Sequence, residues 1–96
     1  MRKIKTLHPL KGKKGVNINR AKYNQIKIAI IQLFKEEEEV IFWDLVGRIG
    51  SQMGANFERS INWYVTTVKL DLEARKTIAR IPNSSPQRLR LIKKWK

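Results

Sequence analysis

The sequence predicts a mainly α fold carrying a small β-hairpin, and three observations lead there. Ile61, Val65, Val68 and Leu72 fall at i, i+4, i+7 and i+11, along one side of a helix. Beyond a Pro-Asn-Ser-Ser-Pro punctuation, Leu89 and Leu91 alternate with Arg88 and Arg90, as in a half-buried strand. Upstream, Ile26, Ala29, Ile30, Leu33 and Phe34 repeat the helical spacing of a core-facing stripe. The 96 residues are enough for one domain. A chain of this size buries roughly 60–65% of its unfolded surface, so it holds one modest core.

Residues 1–19 read as a basic, weakly structured N-terminal arm, partly ordered. Its cations include Arg2, Lys3, Lys5, Lys11, Lys13 and Lys14, it has no acid, and Pro9, Gly12 and Gly15 interrupt any regular element. Leu7, Val16 and Ile18 are apolar enough to anchor it. Residues 20–92 form the folded domain, and 93–96 a basic tail around Trp95. The first helix starts at Asn19 or Arg20, with Asn19 as N-cap, and runs to about Lys35. Glu36, Glu37, Glu38 and Glu39 oppose the helix dipole, so the helix ends there in a solvated acidic turn. That turn repels DNA and is expected away from any nucleic-acid face.

Val40-Ile41-Phe42 is a short β-prone run. A second helix follows from about Trp43 to Met53, with Leu45, Val46, Ile49 and Met53 on its apolar face. Gly54-Ala55-Asn56 ends it, and Ser60 caps a third helix that extends to Arg75. The order helix, short strand, helix, turn, helix, hairpin is that of a winged helix-turn-helix: three helices plus a wing, with the short strand paired to the wing.

Four stretches carry a resemblance: Lys5 to Pro9, Gly15 to Tyr23, Ser60 to Arg75 and Ser84 to Leu91. With them the chain resembles a small, uncharacterised bacterial winged-helix family marked by GSIxWYVTTVKLDLEAR and SxPQRLRL motifs. The resemblance implies the winged-helix fold and, by analogy alone, DNA binding. The chain departs from the pattern twice. Lys76 stands where the family has glycine at the end of the third helix, a steric cost if that residue is left-handed. Trp43 stands where Thr or Ser would cap the second helix.

Charge is the strongest functional signal. Lys and Arg total 21 against 8 acids, a net charge of +13, which points to a polyanionic partner. The expected partner is nucleic acid, foremost duplex DNA, with structured RNA as an alternative and transcriptional regulation as the natural role. In the third helix, Ser60, Asn62, Thr66 and Lys69 are the candidate groove contacts. Glu73 shares their wet side but is a poor neighbour for phosphate. In the wing, Arg80, Arg88 and Arg90 are expected to share the outward side, with Ser84 and Ser85 at the tip. Lys93 and Lys94 extend the field, and Lys11, Lys13 and Lys14 are candidate arm contacts.

Trp63 lies nearly opposite Ile61, with Thr67, Leu70 and Ala74 beside it. This second apolar strip has three readings. It packs under the arm or the acidic turn through Leu7 or Ile18, it forms a homodimer or protein-partner surface, or Trp63 stacks on nucleic acid. The Trp63/Leu70 strip thus supports the alternative of a protein-interaction module.

No cofactor, metal site or enzymatic activity is expected. His8 is the only histidine, there is no cysteine, and neither a Gly-rich phosphate loop nor a nucleophile elbow is present. No apolar run approaches the ~18 residues of a membrane span, so the expectation is a cytoplasmic protein without membrane contact.

Overall fold

The computed structural model describes residues 2–10, 12–53 and 61–92. Two short strands, β1 (Lys3–Lys5) and β2 (Asn17–Asn19), precede helix α1 (Arg20–Glu36). Strand β3 (Glu39–Ile41) and helix α2 (Phe42–Met53) follow, then helix α3 (Ile61–Ala74) and strands β4 (Ile78–Arg80) and β5 (Arg88–Leu91). The described residues form a mixed arrangement of three helices and two small antiparallel sheets.

Asn19 caps α1 as its residue type predicts, its side-chain oxygen accepting from the Lys22 amide at 3.0 Å. The helix stops at Glu36, where the carboxylate run begins. Its stripe of Ile26, Ala29, Ile30, Leu33 and Phe34 is buried throughout. Leu45 and Ile49 of α2 meet it, together with Val65, Val68 and Leu72 of α3. Val40, Ile78 and Leu89 close the core from the sheet side.

That sheet has the order β3-β5-β4. The strand between the first two helices therefore pairs with the returning strand of the hairpin. The register places Glu39 opposite Arg90, Val40 opposite Leu89 and Ile41 opposite Arg88. On the other edge Ala79 faces Arg90 and Arg80 faces Leu89. Val40, Leu89 and Arg80 consequently share the inner face, while Glu39, Arg90 and Ala79 share the outer one.

The N-terminal arm is more ordered than its glycines and charges suggest. β1 and β2 pair with Ile4 opposite Ile18, and Ile18 is buried. Beyond the strands, Thr6 is buried, and both its backbone N–H and its hydroxyl donate to the Val16 carbonyl, at 2.8 and 3.0 Å. The Val16 amide donates back to the Thr6 hydroxyl at 2.9 Å. Gly15 is what permits this approach. A Cβ there would lie 1.8 Å from the Thr6 carbonyl oxygen, inside any contact distance. Gly15→Ala is expected to lower stability by more than about 1 kcal/mol. It should also speed amide exchange at Thr6 and Val16, which heteronuclear NMR would read.

α3 ends in a Schellman turn. The Thr77 amide donates to the Leu72 carbonyl at 2.9 Å and the Lys76 amide to Glu73 at 3.1 Å. Lys76 is left-handed, with φ 67°. Its Cβ crowds the following carbonyl, a cost glycine lacks. Lys76→Gly should therefore raise stability by about 0.5–1 kcal/mol after glycine's larger unfolded-state entropy is counted. A higher urea midpoint at unchanged denaturant slope would show it.

Candidate nucleic-acid interface

The hairpin of β4 and β5 is shaped from its tip. The Ser84 hydroxyl donates to the Ile81 carbonyl at 2.8 Å and accepts from the Arg88 amide at 3.0 Å. Asn83 supplies the left-handed residue of the turn, φ 61°. Ser84 is thus committed to the turn, while Ser85 is exposed beside it. Arg88 and Arg90 project outward on either side of the buried Leu89.

Arg80 does not join them. By register it lies on the inner side with Leu89, at the sheet edge, and its guanidinium Nε donates to Glu73 Oε1 at 2.6 Å. The outer row holds one acid as well. Glu39 sits directly across from Arg90, and its carboxylate is 3.9 Å from Arg88. The acidic turn, expected away from any nucleic-acid face, borders the β4–β5 hairpin, because β3 pairs with β5.

α3 presents less than its helical projection promises. Asn62 is exposed and Thr66 half-buried. Lys69, expected on the wet side, is only 3% exposed. Its ammonium pairs with Glu73 at 2.7 Å and lies 4.9 Å from the centre of the Phe42 ring. Burial lowers its pKa, and the hydrogen bond to Glu73 works against that shift. Lys69 and Arg80 thus flank one buried carboxylate, and Lys69, a candidate groove contact, is buried against it.

The arm crosses the rest of α3. Trp63, Thr67 and Leu70 form one wall of a cavity of about 160 Å³ whose other wall is Thr6–His8 and Lys14–Val16. Further along, Pro9 and Leu10 share a cleft with Glu73, Lys76 and Arg80. Of the three readings of the apolar strip, coverage by the arm is the one this arrangement matches, with Leu7 rather than Ile18 at the contact. Trp63 keeps 36% of its surface and meets Tyr64 edge-on at 5.1 Å between ring centres.

The arm is tied down by a residue the sequence reading passed over. Asp71 is fully buried. Its Oδ1 accepts from the Leu7 amide at 2.8 Å, its Oδ2 accepts from the Tyr23 hydroxyl, and Arg75 Nε lies 2.9 and 2.8 Å from the two oxygens. Asp71 falls beside Tyr64 and Val68 on the helical projection. An acid on a buried stripe is the signal that could have found it.

Exposed cations include Arg2, Lys3, Lys5, Lys13, Lys14 and Arg20 around the arm, Arg88 and Arg90 on the hairpin, and Lys35, Arg48, Arg75, Lys76 and Arg80 elsewhere. Their distribution is sharply segregated. Residues 1–35 hold ten cations and no acid, residues 74–96 hold eight and no acid, and all eight acids lie between Glu36 and Glu73. Ser60, Lys11, Lys93 and Lys94 lie outside the described residues. No helix among the described residues is long and apolar enough to cross a membrane.

Burial, then the hydrogen bond to Asp71, raises the Tyr23 pKa well above its usual value near 10. The folded chain keeps a proton that the unfolded chain releases, so stability is held in full below pH ~10 and falls as pH rises beyond it. An absorbance titration should show one tyrosine that ionises only as the fold opens, and Tyr23→Phe should remove that component.

The model of a family of unknown function, DUF6958, matches residues 3–89. No curated protein and no solved structure matches the chain. The chain belongs to the DUF6958 family.

Proposed function

We propose that this DUF6958 chain is a winged-helix protein that grips duplex DNA by its phosphates. The observation that carries this reading is the segregation of charge, with acid-free basic segments supplying both the arm and the wing. The sheet order β3-β5-β4 supports it, since it puts the hairpin at the end of α3 in the manner of a wing. Arg88 and Arg90 clamp phosphate from one side, and Lys13, Lys14 and the neighbouring arm cations approach from the other. Asn62 and Thr66 are the α3 residues left to meet a base edge, so sequence discrimination is modest. Internal acids hold Lys69 and Arg80, which contribute structure and not contact.

Fluorescence anisotropy of a mixed-sequence duplex at several salt concentrations tests this. Affinity should fall linearly on a log–log plot against salt. Arg90→Ala should weaken binding alike for all sequences and reduce the slope by about 1. Glu39→Gln should strengthen binding a few-fold, because it removes the carboxylate set among the wing arginines. Absence of binding at low salt would overturn the reading. Tighter binding to duplex RNA at matched salt would replace DNA with RNA as the target.

A further inference from the structure

The N-terminal arm supplies more than positive charge, because its two strands form a shaped surface. β1 and β2 pair antiparallel, with Lys3 opposite Asn19, Ile4 opposite Ile18 and Lys5 opposite Asn17. Side chains alternate across a strand, so the ribbon has two unlike faces. Ile18 belongs to the core and Ile4 packs against it. Lys3, Lys5, Asn17 and Asn19 make up the outer face, and the first three are exposed. Asn19 spends its side-chain oxygen on the α1 cap, which leaves Asn17 as the exposed amide of the row.

The ribbon is fixed at both ends. Beyond Lys5 and Asn17, Thr6 and Val16 exchange hydrogen bonds, and the Leu7 amide is held by Asp71. At the other end the Arg20 amide donates to the Arg2 carbonyl at 3.1 Å, which sets two exposed arginines beside the outer face. Lys13 and Lys14, also exposed, stand on the loop that joins the strands. No acid occurs in residues 1–35. Elsewhere the cations are held by acids: Arg48, Lys69, Arg75, Arg80 and Arg88 each pair with a carboxylate.

These dimensions and residue types fit one partner surface. Two strands lie about 4.8 Å apart, and the major groove of duplex DNA, about 12 Å wide, admits a two-stranded ribbon. Three residues per strand span about 10 Å, the rise of about three base pairs. An asparagine amide pairs with adenine N6 and N7, and a lysine ammonium meets guanine O6 and N7. Cations at the two ends of the ribbon reach the flanking phosphates. α3 is poorly placed for the same task, since the arm crosses Trp63 and Leu70 and Lys69 is buried against Glu73. We infer that the outer face of the β1–β2 ribbon lies in the major groove and is the main sequence reader of this protein, with Asn17 on an adenine and Lys3 and Lys5 beside it. The inference rests on the duplex-DNA reading and deepens it, from a grip on phosphates to recognition of bases by the arm.

Selection of the full chain's preferred site from a randomised duplex pool, followed by competition anisotropy, tests it. The expected site is about three base pairs long, contains an adenine and is preferred over mixed sequence by about tenfold. Asn17→Ala should erase the preference at that adenine, with an unchanged melting temperature because the side chain is exposed. Replacing the adenine by 7-deazaadenine, which lacks the N7 acceptor, should weaken the wild type about tenfold and add nothing to the loss in Asn17→Ala. Inosine for guanine removes only a minor-groove amino group and should leave wild-type binding unchanged. Steeply salt-dependent binding with no base preference would overturn the inference and leave the phosphate grip standing. A preference kept by Asn17→Ala and lost in Asn62→Ala would overturn it in favour of α3. Sensitivity to inosine with indifference to 7-deazaadenine would overturn it in favour of the minor groove. Absence of binding at low salt would remove both the inference and the reading beneath it.

Discussion

A carboxylate with no exposed surface must be met by donors from every side, and Asp71 draws them from three separate parts of the chain. The Leu7 amide comes from the arm, the Tyr23 hydroxyl from α1 and the Arg75 guanidinium from the end of α3. Leaving such a group unpaired costs several kcal/mol, so arrangements that separate the arm from α3 are strongly disfavoured. Two further close fits reinforce the tie. Gly15 lets the returning strand touch Thr6, and the buried Thr6 hydroxyl exchanges hydrogen bonds with Val16. What reads as a loose basic leader is therefore a strap fastened across the outer side of α3.

That fastening decides which surfaces can act. A helix expected to lie open to a groove has Trp63 and Leu70 facing the arm on one flank, and Lys69 buried against Phe42 and Glu73 on the other. Its exposed polar surface narrows to the region of Asn62 and Thr66. Two acids act as internal staples, Asp71 under the arm and Glu73 between Lys69 and Arg80, and Glu37 pairs with Arg48 at the surface. Most of the cations lie in residues 1–35 and 74–96, which carry no acid. Glu39 sits beside Arg90 and Arg88 because β3 pairs with β5.

The local features were legible in the sequence because they are set by period and by residue type. The buried faces of α1 and α3, the Asn19 cap and the halt of α1 at the carboxylate run all follow from neighbours within a few residues. So does the inward Leu89 between two outward arginines. The order of elements also anticipated the pairing of β3 with the hairpin. Even the strain at Lys76 could be suspected from the residue that stands there, since left-handed backbone penalises any side chain with a Cβ.

Partnership was decided only by the tertiary structure. Arg80 alternates with its neighbours like a wing arginine, but its side of the sheet depends on a register set by another strand. Lys69 and Glu73 read as a wet i,i+4 pair until Phe42 and Arg80 close over them. Asp71 looks like one more helix acid until residues 64 and 48 positions away supply its donors. The sequence by itself determined the three helices, the short strand between the first two, the hairpin strands and where the charge is concentrated, though not the strands β1 and β2 of the arm, because propensity, period and composition are local quantities. Which charges face solvent, and which are consumed in holding the arm, depended on contacts between distant segments that no local pattern encodes.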